Sequence, residues 1–202
     1  MIRFYTPADA AAMLEIYRPY VTQSAVSFEY EPPTLDQFTA RLAGFAAVYP
    51  VLVCQLDGQI AGYAYAHRLQ ERKAYDWNAE TTIYVDERFA RRGVASALYQ
   101  ALFALLRLQH VHTLYAIITQ PNRPSMEFHR AMGFETVYIQ QNAGYKMGLW
   151  RDVAWMRHVL TPCQGAPEAL LPVSALLPVS ALLPGQIAAC LQNAAQRQNA
   201  DG

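Results

Sequence analysis

The passage NAETTIYVDERFARRGVA at 78–95 constrains this chain more than any other, because it runs a β-strand into a basic, glycine-containing turn that opens a helix. Strand side chains alternate, so Glu80, Thr82 and Tyr84 share one face while Thr81, Ile83 and Val85 share the other. Beyond Gly93, the apolar residues Val94, Ala97, Leu98, Ala101, Leu102 and Leu105 follow one helical stripe. Between strand and helix lie Arg91, Arg92, Gly93, Val94 and Ala95. A helix start exposes unpaired N–H groups and a partial positive charge, and small residues there let a phosphate approach the backbone. A carboxylate on the strand and an anion site at its end predict chemistry on a phosphate-bearing cofactor. Taken alone, the passage also fits an ordinary strand–helix turn with a solvated arginine pair, so the remaining chain must decide.

Residues 2–5 read as a strand, and Thr6-Pro7-Ala8-Asp9 as a capped helix start with an early proline. Met13, Ile16, Tyr17 and Tyr20 form that helix's buried stripe, and Pro19 predicts a kink or an end nearby. The proline-stiffened loop at 27–33 leads to a second helix, boxed by Thr34 and Gln37 and burying Phe38, Leu42 and Phe45. Strands at 51–56 and 60–68 flank Asp57-Gly58, a two-residue hairpin signal. A loop at 70–77 precedes the Glu80 strand and a helix to about Gln109. Another strand follows at 113–119. A short helix opened by Pro121 to Ser125 then stops at Gly133, a natural C-cap. Strands at 134–140 and 152–160 are expected with a separating segment at 142–150. The sum is an α+β fold, a mixed, mostly antiparallel sheet with helices on both faces.

At 202 residues the chain suits one domain of ordinary size with a substantial core. Its formal net charge of zero gives no global field toward nucleic acid or an anionic membrane. Cys54, Cys163 and Cys190 have no paired spacing, which argues against a disulfide framework or a zinc cluster. The first residues lack the basic stretch and long apolar run of a signal peptide, no run of about 20 apolar residues occurs, and no HExxH, GxSxG or Walker-type sequence is present. A cytoplasmic, metal-free protein with neither nucleic-acid nor membrane partners is therefore expected. After Leu160 the composition changes. Residues 161–202 form a Pro/Leu-rich tail in which LLPVSA at 170–175 recurs at 176–181, with a short helix expected at 186–197. Two copies are too few for a solenoid, and the prolines forbid a regular helix. This tail reads as an extended appendage, either without a part in the chemistry or covering an apolar patch or a partner chain.

Several segments together resemble the GNAT superfamily of acetyl-CoA-dependent N-acetyltransferases. They are the element order, the Arg91–Ala95 turn, and Asn122 through Gly133-Phe134. Four stretches resemble its phosphinothricin and methionine sulfoximine acetyltransferase group. These are Ser27-Phe28-Glu29, Arg72-Lys73-Ala74-Tyr75, Glu80 to Val85, and Gly144 to Asp152. With His129, the resemblance covers roughly residues 1–160 and implies a three-layer GNAT fold, a homodimer and a small amino-acid-like acceptor. One departure is Ala90, where the superfamily's cofactor turn usually carries Gln or Arg. Backbone amides hold most of a pyrophosphate in such turns, so a missing side chain weakens the site without removing it.

Acetyl transfer to an amine requires loss of an ammonium proton, stabilisation of an oxyanion and neutralisation of a thiolate. Glu80 is the candidate general base, directly or through water. Thr82 and Tyr84 share its face. The resemblance places the oxyanion donor at a backbone N–H near Tyr84 and Val85, where such folds splay their central strands. It likewise makes His129 the candidate donor to the thiolate. Arg91, Arg92, Gly93, Val94, Ala95 and Ser96 are expected to hold acetyl-CoA, with Asn122 and Ser125 as further contacts. Arg72 and Lys73 would pair with an α-carboxylate, Tyr75 and Phe28 would supply walls, and Thr82 would orient substrate. Lys146 and Trp150 are expected to shape the dimer or the pocket edge. Cys54, on an apolar strand, reads as core, so direct transfer in a ternary complex is expected. The rival readings are another acceptor (a polyamine, an antibiotic amine or a protein N-terminus) and a non-catalytic acyl-CoA-binding module.

Overall fold

A computed structural model describes residues 1–176. Seven strands form one sheet in the order β1-β2-β3-β4-β5-β7-β6. They are β1 (Ile2–Phe4), β2 (Val51–Leu56), β3 (Gln59–Arg68), β4 (Asn78–Val85), β5 (Thr113–Thr119), β6 (Glu135–Lys146) and β7 (Leu149–Val159). Four helices cover it: α1 (Ala10–Thr22), α2 (Leu35–Ala46), α3 (Val94–Leu108) and α4 (Arg123–Ala131). Every strand pairing is antiparallel except β4 with β5. Two apolar clusters divide at the sheet. Alternation sends Val51, Val53, Tyr63 and Tyr65 toward α1 and α2. Leu52, Cys54, Ala64 and Ala66 pack instead against α3. The stripe expected on α3 is buried there, and each fully buried leucine contributes roughly 1.5–3 kcal/mol.

The parallel pairing is short. Asn78, Ala79 and Glu80 register with Thr113, Leu114 and Tyr115, although both strands continue well beyond. Past Glu80 the two strands part and leave an opening through the sheet. Asp86 N–H donates to Ala61 O on the β3 side (3.0 Å). The two-residue alternation of an antiparallel ladder therefore turns the N–H groups of Thr82 and Tyr84 toward β3, and those of Ile83 and Val85 toward the opening.

Local signals fold as expected at several points. Thr34 and Gln37 cap α2 reciprocally, at 3.3 and 2.9 Å. Asp57 and Gly58 take φ of 52° and 77°, the left-handed pair of a two-residue hairpin. Helix α1 ends at Thr22, near Pro19 as expected. One segment differs from expectation. The segment 142–150 is not a separator, because β6 and β7 extend through it to a tight turn at Met147-Gly148 (φ 53° and 77°). Asn142, at φ 49°, instead marks a register shift between Gln140 and Gly144.

The tail's described part folds back on the end of α3. Trp77 Nε1 donates to Glu168 O (2.7 Å), and Leu171 N–H donates to Gln109 O (3.1 Å). Leu176 is buried in the α3-side core. The helix expected at 186–197 lies outside the described residues.

Candidate active site

Of two adjoining cavities, the smaller lies in the parting of β4 and β5 and the larger at the end of β4. The smaller, about 420 Å³, takes Glu80, Thr82 and Tyr84 from one face of β4, and Thr81 with Tyr99 of α3 from the other. Asn122, Ser125 and His129 of α4 line it as well, and Val26, Phe28, Gln140 and Ala143 stand at its walls. The larger, about 1330 Å³, is lined by Val85, Arg91, Gly93, Val94, Ala95 and Ser96, with Tyr20 and Pro124 opposite. Neighbours in sequence face different cavities: Tyr84 and Val85, Ser125 and Pro124, His129 and Phe128.

In the larger cavity the chemistry is that of backbone. Gly93, at φ 76°, caps α3 in the left-handed region and offers no side-chain cap. Among the described residues, the first N–H of this helix to find a partner is that of Ala97, bonded to Gly93 O at 3.0 Å. The amides of Val94, Ala95 and Ser96 are thus left as donors at the positive end of the helix dipole, a donor set that fits a phosphate. Arg91 lines the same space. Arg92 does not; its guanidinium stacks on Phe89 (5.3 Å to the ring centroid) and approaches Asp57 at 3.5 Å.

In the smaller cavity the chemistry is that of side chains. Glu80 Oε1 lies 3.7 Å from Nε2 of His67, its register partner on β3. Burial pushes the Glu80 carboxyl above the usual carboxylate range, and the nearby His67 opposes the shift. Partial desolvation makes this carboxylate a better base than a free glutamate.

His129 is buried. Its Nδ1 lies 2.8 Å from the Ser125 carbonyl, which can only accept, so the proton resides on Nδ1. Its Nε2 lies 3.0 Å from the Tyr99 hydroxyl and accepts from it. Burial lowers the His129 pKa, which keeps the imidazole neutral near pH 7. In this tautomer Nε2 has no proton to give. The available proton at that end of the pair is on Tyr99, whose hydroxyl also lies 3.3 Å from Thr81 Oγ1. Burial raises the Tyr99 pKa, so the hydroxyl stays protonated.

Asn122 caps α4 by accepting from Ser125 N–H at 3.2 Å while lining the smaller cavity. Phe28 reaches this cavity, whereas Arg72, Lys73 and Tyr75 do not. These three are exposed on the turn before β4, and neither Arg72 nor Lys73 has an ion-pair partner among the described residues. Sequence reasoning missed Tyr99 and His67. Tyr99 looks like any aromatic residue on a core-facing helix. His67 gains its partner only through the β3–β4 register, which no local turn sets.

The chain matches the GNAT acetyltransferase domain family over residues 2–155. It is 38% identical over 167 residues to a phosphinothricin N-acetyltransferase of Streptomyces viridochromogenes, covering 82% of this chain and 91% of that protein. It is 30% identical over 172 residues to an L-methionine sulfoximine/L-methionine sulfone acetyltransferase of Salmonella typhimurium, covering 83% and 98%. Among solved structures, the fold is similar to a GNAT superfamily phosphinothricin acetyltransferase from Sinorhizobium meliloti in complex with AcCoA. That similarity has a TM-score of 0.78 and 29% identity, covering 83% of this chain and 92% of that one.

Proposed function

Because this chain belongs to the GNAT acetyltransferase family, we propose that it acetylates the amine of a small amino-acid-like acceptor, of phosphinothricin or methionine sulfoximine type, by direct transfer in a ternary complex. It is an acetyl-CoA-dependent N-acetyltransferase. One observation carries the reading of the site: the Glu80 carboxylate and the unpaired amides of α3 line adjoining cavities where the sheet opens.

Acetyl-CoA supplies an activated acyl group on a phosphate-bearing arm. We assign its phosphates to the amides of Val94, Ala95 and Ser96, with Arg91 adding charge. Glu80 takes the proton from the acceptor ammonium, and Thr82 beside it orients the amine. The N–H groups of Val85 and Ile83 face the opening and meet the negative charge that develops on the carbonyl oxygen. As the thiolate departs, the Tyr99 hydroxyl proton turns from His129 Nε2 to the sulfur, and solvent returns a proton to the phenolate. His129 holds that hydroxyl in place and so acts through Tyr99. Arg72 and Lys73 take the acceptor's carboxylate from the rim, as a bidentate guanidinium contact can. Exposed Tyr138, Tyr145, Leu149 and Trp150 on the β6–β7 hairpin form the face we assign to a second copy of the chain.

Thiol release from acetyl-CoA over a panel of amino acids, sulfoximines and polyamines tests the reading. Turnover with amino-acid acceptors supports it. Turnover confined to polyamines would refute the acceptor class, and tight acetyl-CoA binding without turnover would point to a sensor. In Arg72→Ala, the KM for the amino acid should rise about tenfold, the worth of one charge-assisted contact. An unchanged KM removes Arg72 from carboxylate recognition.

A further inference from the structure

Val26 and Phe28 belong to the loop between α1 and α2, yet they form a wall of the smaller cavity. What fixes this loop comes from the opposite edge of the sheet. Lys146, the last residue of β6, is 4% exposed. Its Nζ donates to the carbonyl oxygens of Val21 (2.7 Å), Ser27 and Glu29 (2.7 Å). An ammonium has three donors and no acceptor, so three carbonyls satisfy it fully, and the charged form suits them. Two residues earlier, Gly144 lies against the Phe28 ring so closely that an added Cβ would stand 2.5 Å from ring carbon Cε2. Between them, the Tyr145 carbonyl accepts from the Tyr30 hydroxyl. The loop is therefore seated on residues 144–146 by a buried cation, a ring contact and a hydroxyl.

We propose that Gly144 and Lys146 set which acceptor side-chain lengths the enzyme accepts, by fixing where the Phe28 ring stands in the wall of the smaller cavity. The assignment rests on that cavity being the acceptor site. Lys146 is a positioning residue: it touches neither acceptor nor cofactor and holds the backbone on either side of Phe28. Gly144 is the specificity determinant. Any larger residue there displaces the ring, and a pocket of this kind discriminates a single methylene by about 10–200-fold.

The test is steady-state kinetics of the full chain with α-amino acids of increasing side-chain length, from alanine to methionine sulfoximine. In Gly144→Ala, the ratio of kcat/KM for the longest to that for the shortest acceptor should shift about tenfold. The KM for acetyl-CoA should stay within about twofold of its original value. Adding the same change to Phe28→Ala should produce no further shift, because no ring remains to be displaced. In Lys146→Met, the acceptor KM should rise about tenfold or more while the acetyl-CoA KM holds. If that variant does not fold, Gly144→Ala decides alone. An equal change for all acceptors, no change, or a shift that persists without the Phe28 ring would each overturn the proposal. Wild-type protein inactive on every amino acid would overturn the proposed function together with it. Turnover with selectivity untouched by Gly144→Ala would overturn this inference alone.

Discussion

The larger cavity draws its anion site from one run of backbone, Arg91 to Ser96, whereas the smaller collects side chains from β4, α3, α4, the α1–α2 loop and the β6–β7 hairpin. A site of backbone amides depends on two left-handed residues, Arg91 (φ 62°) and Gly93 (φ 76°), and the start of one helix, so most side chains around it can vary. The alanine at position 90 is tolerable for that reason. A site of side chains depends on register between strands and on how a distant loop is held. Small changes there redirect chemistry or selectivity without unfolding anything.

Five substitutions probe this contrast. The largest effect is expected from Glu80→Gln, which should lower kcat by about 10²–10⁴ while the acetyl-CoA Kd stays nearly constant by calorimetry. A parallel loss of cofactor affinity would mean that the two cavities do not work separately. The same variant has a stability signature. Folding raises the Glu80 pKa, so the group favours folding below its unfolded value and loses that contribution as pH rises through the folded value. Glu80→Gln should therefore melt higher than the wild type at pH 8, and this advantage should shrink at pH 4.

Gly93→Val tests the other cavity. A β-branched residue at φ 76° costs about 1–2 kcal/mol, so acetyl-CoA binding should weaken about tenfold with the acceptor KM unchanged. Tyr99→Phe leaves His129 Nε2 without its donor and should lower kcat several-fold to about tenfold, with both KM values steady. Full activity in that variant would return the proton-donating role to His129. The smallest effect belongs to Arg92→Ala, because its guanidinium lies on Phe89 rather than in the groove. The acetyl-CoA KM should change by less than about twofold, whereas Arg91→Ala should raise it more.

The same contrast separates what the sequence made legible from what it concealed. The strand–turn–helix at 78–95, the Asp57-Gly58 hairpin and the Thr34–Gln37 cap rest on neighbours within a few residues, and periodicity or turn chemistry reveals them. The parting of β4 from β5 is a tertiary event; its place was available only through resemblance. The exposed strand β6 shows no alternation, and its Asn142 shift imitates a turn, which is why a separator was expected where the hairpin continues. Lys146 meets the Glu29 carbonyl across 117 positions of chain, a contact that no local pattern announces. Arg92 was expected beside the phosphates because it is basic and sits in the turn, yet its guanidinium lies on Phe89. Charge alone does not say which way a side chain turns.

The central claim is that the half-buried carboxylate of Glu80 removes the acceptor's proton. Its most direct test is the pH dependence of kcat/KM for the acceptor, compared between wild type and the residual activity of Glu80→Gln. The expected result is an acid limb in the wild type lying above the ordinary glutamate value of about 4.3, and its disappearance in the variant. The same acid limb in both proteins would contradict the claim.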